Sequence, residues 1–232
     1  MTIAVKVYGM QTDQVIETQD GSHSIISHKY GVSYHSKYGA ITESMHVFIK
    51  AGLYPKIASS SKIDILEIGF GTGLNALMTF LETEKKKIQV YYEGVEAYPL
   101  KSDQYQILNY SELLKVPEHQ PTFMQLHTSP WEEDILLNSN FTFRKTKLLF
   151  EKINKSNCFD LIYFDAFAPS AQPELWEEEV LRIMYEALRT DGVLVTYCAK
   201  GVVKRCLRNI GFKVESLAGP PGKREMTKAI KI

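Results

Sequence analysis

The sequence predicts an α/β fold with a mostly parallel sheet, and three observations support this prediction. Apolar runs typical of buried strands alternate with helical stretches over residues 63–210, the pattern that βαβ units produce. Closely spaced glycines at 69–73 directly follow the first apolar run, as in folds that place backbone against a nucleotide or nucleoside. The C-terminal residues read as an antiparallel hairpin, with a turn rich in glycine and proline at 218–223.

Length and composition indicate one main globular domain. The 232 residues are 44% apolar and 23% charged, close to the average of globular proteins. No run reaches the ~18 apolar residues of a membrane helix, and the N-terminus lacks the basic-then-apolar order of a signal peptide, so we expect a cytoplasmic protein. The three cysteines have no CxxC spacing, which predicts reduced packing residues rather than a metal site or a disulfide. We also expect a monomer.

We divide the chain into an N-terminal extension, 1–57, and a core, 58–232. In the extension, alternating apolar and polar residues flank Asp20 and Gly21, the dipeptide that tolerates the two positive φ angles of a type I′ hairpin turn. A helix is predicted over 41–52, ended by Pro55. The extension is therefore predicted to be a β-hairpin followed by a helix.

The core is predicted to hold a seven-stranded sheet. Its five parallel strands are predicted at 63–68, 90–96, 122–126, 161–165 and 193–197, and its closing hairpin at 212–215 and 226–232. Helices are predicted at 73–85, 100–114, 173–188 and 201–210, with one or two more within 131–155.

The glycine-rich segment at 67–75, Glu-Ile-Gly-Phe-Gly-Thr-Gly-Leu-Asn, is the strongest local signal. It follows a buried strand and opens a helix, so the backbone can approach a ligand where any Cβ would collide. The glycine spacing is GxGxG, whereas a dinucleotide fold prefers GxGxxG with pyrophosphate at the helix N-terminus. Glu67 would repel a pyrophosphate and would suit an ammonium group, or a water bound to one. The segment predicts a nucleoside site without a pyrophosphate.

A second acid, Glu96, ends the next predicted strand, at the sheet edge where a ribose diol would lie. A carboxylate accepts two hydroxyl hydrogen bonds at once; the alternative is a solvated acid at a strand end. A phosphate-free adenosine that carries a charged amino acid is S-adenosyl-L-methionine. The pattern thus predicts a Rossmann-like fold of the class I methyltransferase type, in which a parallel core ends in an antiparallel hairpin.

Asp165 ends the fourth predicted strand, between bulky apolar residues and Pro169. A carboxylate packs poorly among such apolar neighbours, so a packing role does not explain Asp165. In addition, the carboxyl edge is where α/β sheets place their chemistry. We therefore predict that Asp165 is catalytic. The alternative is a cap of a turn or of the following helix.

The chain resembles the methyltransferase domain of the MnmC family, bacterial enzymes that modify tRNA. The resemblance runs in order through nearly the whole chain. Its most specific segments are FDAFAPS at 164–170 with PELW at 173–176, and GKREM at 222–226. The other segments are 33–34, 43–48, the glycine loop at 67–75, EAYPL at 96–100 and TYCAKGVVKR at 196–205.

The resemblance implies methyl transfer from S-adenosyl-L-methionine to the exocyclic amine of 5-aminomethyl(-2-thio)uridine at the tRNA wobble position. The flavin domain that follows this domain in two-domain family members is absent from the sequence, so no removal of a carboxymethyl group is expected. Other functions stay open: a methyltransferase of a small amine or a protein, an aminopropyltransferase with a similar sheet and loop, and a non-catalytic module that binds tRNA or a nucleoside.

The glycine loop, the strand ends and the resemblance together give two sets of candidate site residues. The cofactor-binding set is Glu67, Gly69, Phe70, Gly71, Gly73, Asn75, Glu96, Ala97, Trp131 and Asp165. The set for the tRNA anticodon loop is Phe167, Pro169, Tyr197, Lys200, Lys204, Arg205, Lys223 and Arg224. Asp165 would bind and orient the substrate amine, and Phe167 or Tyr197 would stack on the flipped base.

The chain departs from the family after the predicted third strand. Family members often carry Gly-Asp there, whose acid contacts adenine, whereas this chain has Leu126 to Glu133 without an aspartate. Trp131 could stack on the adenine instead, or anchor the next helix.

The charge is unevenly distributed along a chain whose net charge is zero. The segment 200–232 holds nine basic and two acidic residues, a net charge of +7, which leaves −7 on residues 1–199. Such a segment is either a solvated helix face and edge hairpin or a surface that contacts phosphates. Given the resemblance, we favour phosphate contact.

Overall fold

The protein is described here from a computed structural model that covers residues 13–58 and 60–232. Residues 1–12 of the predicted extension lie outside the described residues. In the described part of the chain, no helix is long and apolar enough to span a lipid bilayer.

An eight-stranded sheet forms the centre of the fold. Its strands are β4 (Lys62–Ile68), β5 (Gln89–Glu96), β6 (Asp134–Asn138), β7 (Phe141–Lys147), β8 (Phe159–Phe164), β9 (Leu188–Thr196), β10 (Phe212–Ala218) and β11 (Glu225–Lys231). They lie in the order β10-β11-β9-β8-β4-β5-β7-β6. The five strands from β9 to β7 are parallel, while β6, β11 and β10 pair antiparallel at the two edges. This confirms the Rossmann-like prediction, with eight strands rather than seven.

The region after residue 115 was assigned wrongly from the sequence. The predicted strand at 122–126 is helix α6 (Gln120–Thr128), whose fully buried Phe123 and Leu126 have helical spacing. The helices predicted within 131–155 are instead β6, β7 and a 3₁₀ turn at Phe150–Lys152. The true third parallel strand is therefore β7, whose alternating buried Phe141, Phe143 and Lys145 fit a strand.

The helix predicted at 100–114 is split into α4 (Ser102–Tyr105) and α5 (Tyr110–Leu113). Asn109, between them, uses its side chain to hold the N-terminal hairpin. Its Oδ1 accepts from the His23 amide at 2.9 Å, and its Nδ2 donates to the Gly21 carbonyl at 2.9 Å. These long-range bonds interrupt the helix, because Asn109 is committed to another element.

The N-terminal hairpin consists of β1 (Gln14–Glu17) and β2 (His23–Ser27), with a short third strand β3 (Val32–Ser33). Its turn is not type I′, since Gly21 has a positive φ of 83° and Asp20 does not. Asp20 instead accepts hydrogen bonds through its carboxylate, from the Ser22 amide at 3.0 Å and the Thr42 amide at 2.9 Å. The turn thus ties the hairpin to the helix that follows.

That helix is longer than predicted and lies directly on the sheet. It runs through α1 (Ala40–Ser44), a π-helical stretch Met45–Leu53 and α2 (Tyr54–Ile57), and Pro55 is accommodated in the first turn of α2. A Cβ on Gly52 would lie 3.0 Å from Cγ2 of Val195 and 3.3 Å from the Tyr163 ring. The division at 57/58 stays a prediction.

Hydrophobic clusters cover both faces of the sheet. The long N-terminal helix and α3 (Leu74–Lys86) pack on one face, with Ile65, Tyr92 and Tyr163 in that cluster. Helices α7 (Glu178–Ala187) and α8 (Gly201–Ile210) cover the other face, around Ile162 and Leu194. The chain order β4, β5, β7 runs one way across the sheet and β8, β9 the other, so the topological switch point lies between β4 and β8. Ligands of open α/β sheets bind at this point.

We predict that Gly52→Leu lowers the free energy of unfolding by about 1–3 kcal/mol, because the new side chain has no space between helix and sheet. Urea denaturation followed by circular dichroism measures this change. Lys50→Leu adds the same side chain at an exposed position of the same helix and serves as the control. Equal losses in both variants would contradict the close approach at Gly52.

Candidate active site

A large cavity opens at the carboxyl edge of the sheet, at the switch point. Its volume is about 910 Å³, toward the upper end of the range for small-molecule sites. Its floor includes Gly69, Gly71, Glu96 and Asp165, which follow or end β4, β5 and β8. The N-terminal segment forms its roof, with Tyr30 and Tyr34 among the lining residues.

The glycine loop lies between the ends of β5 and β8. The amides of Gly69 and Phe70 donate to the Val95 carbonyl at 3.0 and 3.1 Å. Gly69 and Gly71 have φ angles of 86° and 48°, and a Cβ on Gly69 would lie 2.7 Å from the Asp165 carbonyl oxygen. Only glycine allows this backbone path and this approach of the two strand ends.

Glu96 closes the loop from the β5 side. Its Oε2 accepts from the Gly71 amide at 3.0 Å and its Oε1 from the Tyr98 amide at 2.8 Å. Burial raises the pKa of Glu96, and the backbone donors oppose this shift. Each oxygen keeps a second lone pair toward the cavity, so Glu96 can accept two hydroxyl groups.

Asp165 lies on the cavity floor at the end of β8. Asn75 Nδ2 donates to its Oδ2 at 2.8 Å. Burial, together with the negative charge of Glu43, raises the pKa of Asp165 to about 7, while Asn75 and Lys223 act in the opposite direction. A carboxyl group with this pKa can exchange a proton near neutral pH.

Glu67 lies behind this floor and has no exposed surface. It accepts from Asn75 Nδ2 at 2.9 Å and from the Tyr92 hydroxyl at 2.8 Å. Burial raises the pKa of Glu67 well above its ordinary range. Glu67 therefore does not reach the cavity and acts on it through Asn75.

Aromatic rings form the wall above Asp165. The ring centroid of Phe167 lies 5.0 Å from that of Tyr30 and 4.9 Å from that of Tyr34. Gln172 Nε2 donates to the Tyr30 hydroxyl at 2.8 Å, which joins the roof to the loop after β8. The wall offers ring faces and edges to a planar group that enters the cavity.

Comparisons with known proteins agree with this geometry. Over residues 121–232 the chain matches the model of a family described as S-adenosyl-L-methionine-dependent methyltransferases. It is 29% identical over 219 residues to the tRNA 5-methylaminomethyl-2-thiouridine biosynthesis bifunctional protein MnmC of Leptospira interrogans, covering 87% of this chain and 33% of the relative. The MnmC protein of Idiomarina loihiensis is 29% identical over 209 residues, covering 83% and 34%. The chain thus spans about a third of the length of these relatives.

A solved structure extends the likeness to the whole described fold. The crystal structure of MnmC2 from Aquifex aeolicus superimposes with a TM-score of 0.76 at 26% identity, covering 96% of this chain and 71% of the other. The chain is thus similar, over most of its length, to MnmC-type methyltransferases. Spermidine synthase from Thermotoga maritima has a TM-score of 0.56 at 16% identity and covers 97% and 72%, a likeness that shows the fold alone.

The methyltransferase family implies S-adenosyl-L-methionine as cofactor, and the cavity residues fit it. The glycine loop exposes backbone without side chains, and Glu96 offers acceptors for a ribose diol. Glu151, in the 3₁₀ turn after β7, lines the far end of the cavity together with Leu149 and Phe150. A carboxylate there can accept from an exocyclic amine of an adenine ring.

An acid that contacts adenine was expected from the sequence after a strand at 122–126, but that segment is helical. The true third strand ends at Lys147, and Glu151 follows it by four residues. Trp131 does not line the cavity; its ring lies 4.6 Å from Nζ of Lys145 at the sheet edge. Alternation of apolar and polar residues in 141–147 is the signal that could have located this strand and Glu151.

The other predicted cofactor residues fall into two groups. The structure brings Gly69, Gly71, Glu96, Ala97 and Asp165 together on the cavity wall. Behind the wall lie the buried residues Glu67, Phe70, Gly73 and Asn75. Phe70 packs on Phe143, with 5.8 Å between ring centroids, and Gly73 precedes α3 with a φ of 73°.

Among the predicted tRNA residues, Phe167 alone lines the cavity. Tyr197 lies beside it, and its hydroxyl donates to the Ala166 carbonyl at 2.8 Å. Pro169 is half-buried in the same loop as Phe167. Tyr30, Tyr34 and Gln172 were not predicted as site residues, although Tyr34 lies in a segment that resembles the family; the fold brings all three to the cavity from distant segments.

The predicted basic residues are not equivalent. Lys204 is 7% exposed, and its Nζ lies 2.6 Å from both Glu225 Oε2 and Ser216 Oγ. Lys223 pairs with Glu43, and its Nζ lies 3.8 Å from the Tyr197 ring centroid. Both lysines have partners within the fold, and their role as phosphate contacts stays a prediction. The other three predicted basic residues are exposed: Lys200, Arg205 and Arg224.

We predict that Asp165→Asn changes how stability depends on pH. The pKa of Asp165 rises from 3.8 when unfolded to about 7 when folded, so the native state holds the proton longer and its stability falls as pH rises through this window. The variant lacks this charge and should gain stability relative to wild type between about pH 4 and pH 7. Thermal unfolding across this range measures the difference, and a difference that does not vary with pH would contradict the raised pKa.

Proposed function

We propose that this chain transfers a methyl group from S-adenosyl-L-methionine to the exocyclic amine of 5-aminomethyluridine, 2-thiolated or not, at the tRNA wobble position. The product would be the 5-methylaminomethyl nucleotide. The observation that carries the proposal is Asp165, a carboxylate with a raised pKa on the floor of an aromatic-walled cavity. The names of the MnmC relatives supply the substrate class.

The cofactor would lie along the carboxyl edge of the sheet. Its ribose would lie at Glu96, its adenine near Glu151 and its methionine end at the glycine loop, beside Asp165. When bound, it supplies an electrophilic methyl group on a sulfonium. The protein contributes mainly by holding the two reacting groups in line, which needs no covalent enzyme intermediate.

Asp165 would act on the substrate amine. An alkylammonium with a pKa of about 10.4 is protonated at neutral pH and cannot attack. The Asp165 carboxylate binds the ammonium, and with a pKa of about 7 it is a far better proton acceptor than an ordinary aspartate. The proton passes from nitrogen by way of Asp165 to water, so that Asp165 is ionised again when the methyl group is transferred and stabilises the positive charge that develops on nitrogen.

The rest of the cavity suits a flipped base. Its volume exceeds what the cofactor needs, and Phe167, Tyr30 and Tyr34 line the part nearest to Asp165. A wobble base lies in a single-stranded loop, so it can leave its stack at low cost and pack on these rings. We propose that one chain forms the whole site and acts in the cytoplasm, where tRNA is modified.

Phosphate contacts would come from the exposed residues Lys200, Arg205 and Arg224 near the same end of the sheet. Lys200 precedes the first turn of α8, and Arg224 lies in the turn between β10 and β11. This set replaces the larger one predicted from the sequence, since Lys204 and Lys223 already have partners.

The direct test is transfer of labelled methyl to tRNA from cells that lack this protein, with nucleoside analysis by mass spectrometry. We expect 5-aminomethyluridine to be converted to its methylaminomethyl form.

Asp165→Asn should lower turnover about 100-fold or more while cofactor binding, measured by calorimetry, is retained. Asp191→Asn, an exposed carboxylate at a positive φ that asparagine tolerates, is the control. Labelling of small amines or protein but never of tRNA would refute the substrate.

The phosphate contacts make a separate prediction about salt. We expect Lys200→Gln, Arg205→Gln and Arg224→Gln each to weaken tRNA binding and to reduce the slope of log K against log salt by roughly 0.7–0.9 per lost contact. Lys204→Gln should lower the melting temperature and leave the slope unchanged, because Lys204 pairs with Glu225. Filter binding at several salt concentrations measures the slopes; the same slope in all four variants would contradict the assignment.

A further inference from the structure

Every polar atom of the Asn75 side chain is engaged with another buried group. Its Nδ2 donates to Glu67 Oε1 at 2.9 Å and to Asp165 Oδ2 at 2.8 Å, and its Oδ1 accepts from the Ser44 hydroxyl. Asn75 is 3% exposed, Ser44 1% and Glu67 0%. Water therefore does not substitute for the bonds of Asn75 to Ser44 and to Glu67.

These bonds allow one orientation of the amide. If the amide were reversed, its oxygen would face the carboxylates of Glu67 and Asp165, and its NH₂ would face Ser44. The amide oxygen would then face two carboxyl oxygens, and Glu67 and Asp165 would both lose the donor that they have in the observed orientation. In the observed orientation the Ser44 hydroxyl donates to Oδ1 and satisfies the remaining polar atom of the amide.

Ser44 belongs to α1, outside the core that carries the glycine loop and Asp165. Its neighbour Glu43 fixes this part of α1 at two further points. Glu43 Oε2 accepts from the Ser36 amide at 2.8 Å, and its Oε1 accepts from Lys223. The position of Ser44 is thus set by the N-terminal segment and by the C-terminal turn together.

We propose that Ser44 is a positioning residue: its hydroxyl fixes the Asn75 amide, and the amide holds the Asp165 carboxylate in the direction of the substrate amine. The N-terminal helix then completes the active site rather than only covering one face of the sheet. The inference rests on the proposed role of Asp165, and it reassigns Asn75 from contact with the cofactor to support of Asp165.

The proposal predicts a change in the titration of Asp165 itself. The charged or titratable groups that act on Asp165 are Glu43 of α1, Glu67 of β4, Tyr92 of β5, Tyr197 after β9 and Lys223 of the C-terminal turn. None of them is altered in Ser44→Ala. Loss of the hydroxyl frees the Asn75 amide to turn and weakens its bond to the carboxylate, so the pKa of Asp165 should rise further.

The test uses full-length protein labelled with ¹³C at the aspartate carboxyl carbons, without tRNA. The Asp165 resonance is assigned by its loss in Asp165→Asn and followed with pH in Ser44→Ala and Ser44→Cys. We expect an upward shift of the midpoint in Ser44→Ala and a smaller one in Ser44→Cys, whose thiol is a weak donor. Thr79→Val is the control, since it removes a buried hydroxyl of α3 that contacts Tyr163 and not Asn75.

Kinetics provide the second readout. Ser44→Ala should lower kcat about tenfold, less than the hundredfold that a misplaced reacting group can cost, with the KM for cofactor unchanged and Ser44→Cys intermediate. An Asp165 midpoint equal to that of wild type in Ser44→Ala would overturn the proposal, as would a kcat no lower than that of Thr79→Val. If wild type fails to methylate tRNA, the proposed function fails, while the titration still decides the role of Ser44.

Discussion

The structure depends on one electrostatic constraint: three carboxylates, Glu67, Glu96 and Asp165, lie within one buried sheet edge. Parallel strands bring them there, because all such strands end on the same side. Mutual repulsion and loss of water both oppose ionisation of such a group. These carboxyl groups accept hydrogen bonds from neutral donors rather than from counterions. The donors are the Asn75 amide, the Tyr92 hydroxyl and the backbone amides of Gly71 and Tyr98. A cationic ligand in the cavity would therefore meet Glu96 and Asp165, whose hydrogen-bond partners carry no positive charge.

The N-terminal and C-terminal segments converge on this edge. Glu43 of α1 binds Lys223 of the C-terminal turn, and Lys223 lies over the ring of Tyr197, whose hydroxyl donates to the carbonyl of the residue after Asp165. These contacts join four parts of the chain: α1, the turn between β10 and β11, the segment after β9 and the loop after β8. The surroundings of Asp165 are consequently a property of the whole fold and not of the loop that carries it.

The sequence predicted those parts that leave a strong local pattern. The buried strands β4, β5 and β8 were located because their apolar runs are followed by glycine, glutamate or aspartate at the sheet edge, and β9 was located from its apolar run alone. The segment at 120–128 was mistaken for a strand because it is short, and the error misplaced the end of the third parallel strand, near which Glu151 lines the cavity. The partners of Lys204 and Lys223 could not be predicted, since Glu225 and Glu43 meet them only through the pairing of distant elements.

The uneven distribution of charge has a consequence for encounters in solution. The pairs of Lys204 with Glu225 and of Lys213 and Lys228 with Glu215 lie within the C-terminal segment, so they are already included in its net +7. This segment forms α8, β10 and β11 at one end of the sheet, and most of the opposite charge lies elsewhere. Although the protein has no net charge, this end of the sheet therefore carries an excess of basic residues. Separation of charge of this kind orients a protein in the field of a polyanion before contact forms.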